Sequence, residues 1–281
     1  MIDFLQVLKN PDNGFLRLAL GVGTLASFSF GIIGTYVTTR RISYLSGAIA
    51  HCVFGGIGAA LFLKHRMGLT GLDPMAGAFA AAIIAAVIMG WVSLYAKERE
   101  DTVIGALWAV GMAAGLIFID LTPGYFDIMS YLFGDILLIS MQDLWLVIAL
   151  DVVVGLITVF FYNTILAVSF DDEFALLRGI NVKGFYILLL CLTAVTVVLL
   201  VRVVGIVMVI ALLTLPAATA GQFTRRFWQT MVLATVFCIA FMWTGIGVSF
   251  VLKLSSGPTI IIIAGISYLA VLGGKRIFSK G

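Results

Sequence analysis

His51 is one of two histidines in 281 residues. It stands in the apolar run SGAIAHCVFGG, where an ionisable side chain is expensive and normally faces a bundle interior or an aqueous cavity. Neutral imidazole is a ligand for zinc, and a weaker one for manganese or iron, so passage of a divalent metal is the chemistry this residue offers. At about 100° per residue, Tyr44, Gly47, Gly55 and Gly58 share its helix face. The three glycines permit close helix packing, and equally leave room for a hydrated ion. Asp151, in LVIALDVVVGL, is a second isolated group. Unpaired it would be costly, and Arg202, at the end of a later apolar segment, is its expected intramembrane partner. Asp135, in IMSYLFGDILLIS, is a candidate for capping a helix or lining an outer vestibule of a metal pathway. Asp101 is expected to cap a helix N-terminus, and Pro216, in LLTLPAATA, to kink one by removing a backbone donor.

The elements that carry these residues follow from composition. With 62% apolar residues, 11% charged residues and a mean hydropathy of +1.16, the chain lies far from the soluble average of about 45–50% apolar and about 25% charged. The expected fold is an all-α membrane protein, a polytopic bundle of about nine spans forming a single domain over 1–281. Apolar runs place the spans near 15–38, 43–63, 76–96, 103–119, 144–167, 184–201, 204–221, 229–252 and 258–273. The stretch 128–140 is too short to cross and reads as a re-entrant or interfacial helix enclosed by protein. Of the 17 Lys and Arg, eleven fall in one set of alternate loops and six in the other. By the positive-inside rule the N-terminus is expected outside and the C-terminus in the cytoplasm.

Several classes are excluded or disfavoured on the same page. A net charge of +3 with dispersed basic residues gives no nucleic-acid-binding stripe. Cys52, Cys191 and Cys238 have no paired spacing and are expected to be free. The ten methionines form no M-x-x-M cluster and are read as packing. No basic n-region precedes an apolar stretch at the N-terminus, so no cleavable signal peptide is expected. Neither G-x-S-x-G nor H-E-x-x-H occurs, nor does the phosphate-binding G-x-x-x-x-G-K-[ST], so the chain is not expected to be an enzyme or to hydrolyse ATP itself.

The most informative polar segment is 169–186, SFDDEFALLRGINVKGFY. Its amphipathic turn, Phe174, Leu176 and Leu177, suits a short helix on the membrane surface that ends at Gly179. Glu173, Ala175 and Gly179 reproduce E-x-A-x-x-x-G, which resembles the loop by which ABC-transporter permeases dock into their ATPase subunit. RRISYLSGAIAH, DTVIGALWAVGMAAG, YLFGD, SFDDEFALLRGI, VRVVGIVMVIALLTLPAATA and SSGPTIII extend the likeness from about Gly31 to Leu272. In order and spacing the chain resembles the integral-membrane permease of the zinc/manganese/iron family of bacterial ABC importers. The resemblance implies a homodimer in the bacterial inner membrane, working with two ATPase subunits that bind ATP and an extracytoplasmic metal-binding protein. It further implies import of a divalent metal, zinc first, with manganese or iron as alternatives. One departure stands out: where the family has G-D-x-x-x-H, with Asp and His on one helix face, this chain has Gly47 in place of the Asp. An ion-coupled secondary transporter is the competing reading, but such proteins carry repeats and several intramembrane charges that are not evident here.

Overall fold

The computed structural model describes residues 14–69, 71–95, 100–124, 126–134 and 139–278. Those residues form helices and connecting turns, with no strand among them. The helices are α1 (Gly14–Thr39), α2 (Ser43–Arg66), α3 (Pro74–Tyr95), α4 (Glu100–Asp120), α5 (Ile128–Phe133), α6 (Met141–Phe170), α7 (Asp172–Leu177), α8 (Val182–Val204), α9 (Ile206–Ala220), α10 (Phe227–Leu252) and α11 (Ser256–Phe278). Among the described residues eight are long and apolar enough to cross a bilayer. The exception among the expected spans is α9, whose 15 residues reach about 22 Å at 1.5 Å per residue, short of the roughly 30 Å hydrocarbon core. It begins later than hydropathy suggests because Gly205, with φ +82°, interrupts the helix.

Alternate helices run in opposite directions, so the bundle has two ends. One carries α7, the end of α1 and the start of α2; the other carries α5, the start of α6 and the end of α8. The three cysteines are free, as expected.

α2 is the most enclosed span, packed between α3 and α4. The contact with α4 is backbone to backbone. A β-carbon on Gly55 would lie 2.8 Å from the Gly111 carbonyl oxygen, and one on Gly58 would lie 2.6 Å from that of Gly115. On the other side Gly56 and Gly77 meet across α2 and α3 with equally little room. In a bilayer, where lipid is as apolar as the side chains, such close approach is what holds helices together.

A second seam joins three stretches distant in sequence. α5 ends at Gly134, whose φ of +65° turns the chain against Val204 and Gly205. A β-carbon on Gly134 would lie 2.6 Å from the Val204 carbonyl oxygen, one on Gly205 would lie 2.9 Å from Gly134 Cα, and Gly257 abuts the Phe133 carbonyl. The short element is thus held against protein at its Gly134 end only. None of its residues is buried and Met129 is 64% exposed, so the expected enclosure by protein is not seen among the described residues and the interfacial alternative fits better. Asp127 caps α5, accepting from Met129 N at 3.0 Å and from Ser130 Oγ at 2.8 Å.

Gly205→Ala therefore adds a methyl to a left-handed residue against main chain. A loss of about 2–6 kcal/mol is expected, from strain and overpacking together. Gly265→Ala, inside α11 where a β-carbon meets nothing within 4 Å, should instead stabilise by about 0.5–1 kcal/mol. Thermal melts of both variants in detergent make the comparison, and equal midpoints would show that the glycine seam is dispensable.

Candidate metal-transit site and coupling helix

His51 occupies the ninth position of α2 and is half-buried at the surface that α2 shares with α4. Two α4 side chains define its setting. Its ring stacks on Trp108 with centroids 4.7 Å apart and planes inclined by 28°, and Nδ1 lies 3.3 Å from Met112 Sδ. A thioether only accepts, so the proton belongs on Nδ1 and the Nε2 lone pair is left for a ligand, the usual division of labour in a metal-binding histidine. Among the described residues no cluster of three or more His, Cys, Asp or Glu surrounds it. What the described residues offer here is a single imidazole backed by an indole face.

Both meanings of the small-residue face are decided by α4. Gly55 and Gly58 are filled by its backbone, and a β-carbon on Gly47 would lie 2.7 Å from Trp108 Cη2. The space beside the imidazole is occupied by indole. Gly47 and Trp108 are therefore a matched pair, and a carboxylate at position 47 and the present indole exclude one another. Asp135 lies outside the described residues. Of the helices beside it, α5 is capped by Asp127 and α6 by Ser140.

The expected pairing of Asp151 with Arg202 is not formed. Arg202, in the last turn of α8, pairs with Asp143, Nε to Oδ1, at 2.7 Å. Asp143 sits in the first turn of α6 within a capping box, its Oδ2 accepting from Ser140 N at 3.0 Å and Ser140 Oγ at 2.6 Å. Asp151 lies eight residues further along α6, about 12 Å deeper at 1.5 Å per residue, and instead accepts from Ser29 Oγ of α1 at 2.5 Å. The reason is depth: a cation at a helix end meets the carboxylate at the neighbouring helix end. Asp101 falls one residue inside α4, beside Glu100, where it favours the helix dipole but does not occupy the cap. Pro216 sits within α9, which continues to Ala220. The non-helical break that does occur in a span is at Phe161 in α6.

At the opposite end, α7 covers the E-x-A-x-x-x-G stretch. Asp171 caps it by accepting from Phe174 N at 3.0 Å. Gly179, at φ +73°, closes it, with Gly179 N bonded to the Leu176 carbonyl at 2.9 Å and Ile180 N to that of Ala175 at 3.1 Å. Ala175 is fully buried, whereas Leu176 and Leu177 are 66% and 87% exposed. The helix is thus anchored at its middle and presents apolar side chains outward. Arg40, counted in sequence only as a topological charge, is its tether. The guanidinium forms a two-point pair with Asp172 at 2.6 and 2.9 Å, donates to the Val168 carbonyl, and lies 4.9 Å over the Tyr186 ring. One arginine thereby joins the end of α1 to α6, α7 and α8.

The charge pairing yields a double-mutant test. Asp143→Ala and Arg202→Ala should couple by about 0.5–3 kcal/mol in detergent melts, because either change alone strands the other charge. Asp151→Ala and Arg202→Ala should add within about 0.5 kcal/mol. Coupling in the second cycle and none in the first would reverse the assignment.

Comparison with known proteins agrees with this architecture. Residues 12–274 match the ABC 3 transport family. The chain is 40% identical over 263 residues to an uncharacterized membrane protein of Synechocystis, covering 93% of this chain and 91% of that one. It is 32% identical over 271 residues to the manganese transport system membrane protein MntC of Listeria monocytogenes, covering 95% and 94%. Among solved structures, PsaBC from Streptococcus pneumoniae in complex with Fab superposes with a TM-score of 0.84 at 25% identity, covering 96% of this chain and 95% of that one. The span of the family match, the two relatives and the shared fold give one result: the chain is a multi-pass membrane protein belonging to the ABC 3 transport family.

Proposed function

We propose that this chain is the membrane-spanning permease of an ABC importer for a divalent transition metal, and that zinc is its preferred cargo. The observation that carries the permease role is α7, a short helix anchored by a buried alanine and an arginine tether while exposing Leu176 and Leu177. A carrier driven by protons or sodium has no subunit for such a helix to engage. On this reading two ATPase subunits receive the α7 helices of a homodimer, and their closure on ATP moves α7. Arg40 passes that movement to α1, α6 and α8. The α7 end is then cytoplasmic, the bilayer is the inner membrane, and an extracytoplasmic binding protein delivers metal at the α5 end.

The homodimer finds support in α4. Gly105, Ala109 and Ala113 recur every fourth residue and are all exposed, a small-residue stripe suited to close contact between membrane helices. It borders Trp108 and Met112, so a pairing through α4 brings two His51 rings toward one axis. Manganese in the name of a relative speaks for a transition-metal cargo. Zinc over manganese follows from the donors here, because imidazole suits zinc whereas manganese prefers carboxylate oxygen, and Gly47 supplies none. Two neutral imidazoles bind weakly, which a transit site needs in order to release its ion.

Two experiments test the reading. In proteoliposomes containing the assembled transporter and its binding protein, His51→Ala should lower zinc uptake by about tenfold or more while leaving assembly and basal ATPase activity near wild type. Gly47→Asp combined with Trp108→Ala should tighten metal retention and raise manganese uptake relative to zinc. Wild-type zinc uptake by His51→Ala would remove the histidine from the pathway. For α7, Gly179→Leu forces a branched side chain into left-handed backbone without steric conflict elsewhere. Membrane insertion should persist and co-purification of the ATPase should be lost. A stoichiometric complex with normal transport would exclude α7 as the contact.

A further inference from the structure

Beyond transport, we propose that the α7 end of the bundle holds a built site for a phosphate-class anion, supplied by the headgroup of an acidic phospholipid. A cavity of about 430 Å³ opens there between α1, α9, α10 and α11. Arg225 and Arg226 line it, and neither forms an ion pair among the described residues. A third cation, Lys275 of α11, lies at the same place, donating to the carbonyl of Gln222 in the cavity wall.

Of the carboxylates nearby, Asp172 is held by Arg40. Asp171, which follows the lining residue Phe170, caps α7 by accepting from its backbone and keeps its charge. Arg225, Arg226 and Lys275 thus stand against one unpaired carboxylate, and the balance of the described residues around the cavity stays positive.

Three further features fit an oxyanion. α10, 26 residues long, starts at the cavity with Arg226 at its N-cap and no side chain accepting from its first amides, so unpaired N–H groups and the positive end of the helix dipole face the same space. Thr38 borders the cavity with a buried hydroxyl that has no hydrogen-bond partner. The remaining wall is mixed, with hydroxyls of Thr224 and Thr230 beside the rings of Phe227 and Tyr268. Arginine forks and the unpartnered Thr38 hydroxyl match phosphate oxygens, whereas the Thr224 and Thr230 hydroxyls are bonded to each other and to the Ala220 and Arg226 carbonyls. The aromatic wall suits the glycerol and first acyl carbons of a lipid better than a fully hydrated ion. The depth is appropriate too. Trp228, half exposed next to the cavity, is the kind of residue that marks the headgroup level, where basic pockets between spans take up anionic lipid.

The test is lipid retention by the full-length purified protein, read by native mass spectrometry after exchange into mixed micelles containing phosphatidylglycerol and phosphatidylcholine. Wild type should retain phosphatidylglycerol over phosphatidylcholine by about thirtyfold, the factor that two arginines supply near an anionic surface. Arg225→Gln with Arg226→Gln should reduce the preference to about twofold or less, and Lys253→Gln, at the other end of α10, should leave it unchanged. Inorganic phosphate at millimolar concentration forms a second arm. Failure to displace the lipid assigns the site to the headgroup. Loss of lipid together with phosphate-dependent thermal stabilisation of wild type, absent in the double variant, assigns the same chemistry to free phosphate and overturns the lipid source. Equal retention of both lipids with no phosphate effect overturns the site altogether and leaves the arginines to an acidic protein surface. Should the double variant not fold, the wild-type lipid ratio and phosphate response decide the matter by themselves.

Discussion

Inside a bilayer no water drives apolar helices together, so the fold depends on how closely backbones can approach. In this chain that closeness comes from glycines set against carbonyl groups. Gly55 and Gly58 seat α4 on one side of α2, and Gly56 with Gly77 seats α3 on the other. The rest of the candidate site follows from this register. Once α4 is fixed at Gly111 and Gly115, Trp108 and Met112, each about one turn before one of these glycines, fall on His51. At the far end Gly134, Gly205 and Gly257 perform the same service for an element that does not cross the membrane.

Charge is distributed under the same rule. The ion pairs among the described residues lie at helix ends, Asp143 with Arg202 at one and Asp172 with Arg40 at the other, where solvent and headgroups share the desolvation cost. Deeper in the membrane the chain substitutes hydroxyls for cations. Asp151 takes a serine donor, and threonines along the spans return their hydroxyls to carbonyls of the preceding turn, as Thr35 does to Gly31 and Thr193 to Leu189. Full charge is thereby kept at the two ends of the bundle, and the interior stays nearly neutral.

Most of the architecture is legible in the sequence. The spans are apolar runs with charged or glycine boundaries, and the surface helix has its own amphipathic turn and terminal glycine. The Asp151–Arg202 pairing was not legible correctly, because hydropathy orders residues along a helix but says nothing of which neighbour stands at equal depth. A better signal was present: Ser140 and Asp143 form an S-x-x-D capping pattern, which places Asp143 in the first turn of α6 and so level with the end of α8. Arg40 was visible only as one of many topological cations, since its tethering role depends on three segments converging. Trp108 carried no sequence signal at all. An aromatic in an apolar helix reads as packing until its partner across the interface is known to be a glycine.

That last pair changes what a missing carboxylate means. A simple loss of aspartate at position 47 would leave a void beside His51, and a void in a membrane interior fills with water or collapses. Here it is filled by an indole whose face lies against the imidazole. Compared with the carboxylate that the family resemblance implies at this position, the indole offers no negative charge and only an aromatic quadrupole, which attracts cations far more weakly and without coordinating them. On the proposed reading, a cation passing His51 would meet an aromatic surface and not a fixed carboxylate. Selectivity would then rest on the imidazole and on what a second copy contributed across α4, since the described residues around His51 form no pre-assembled cage.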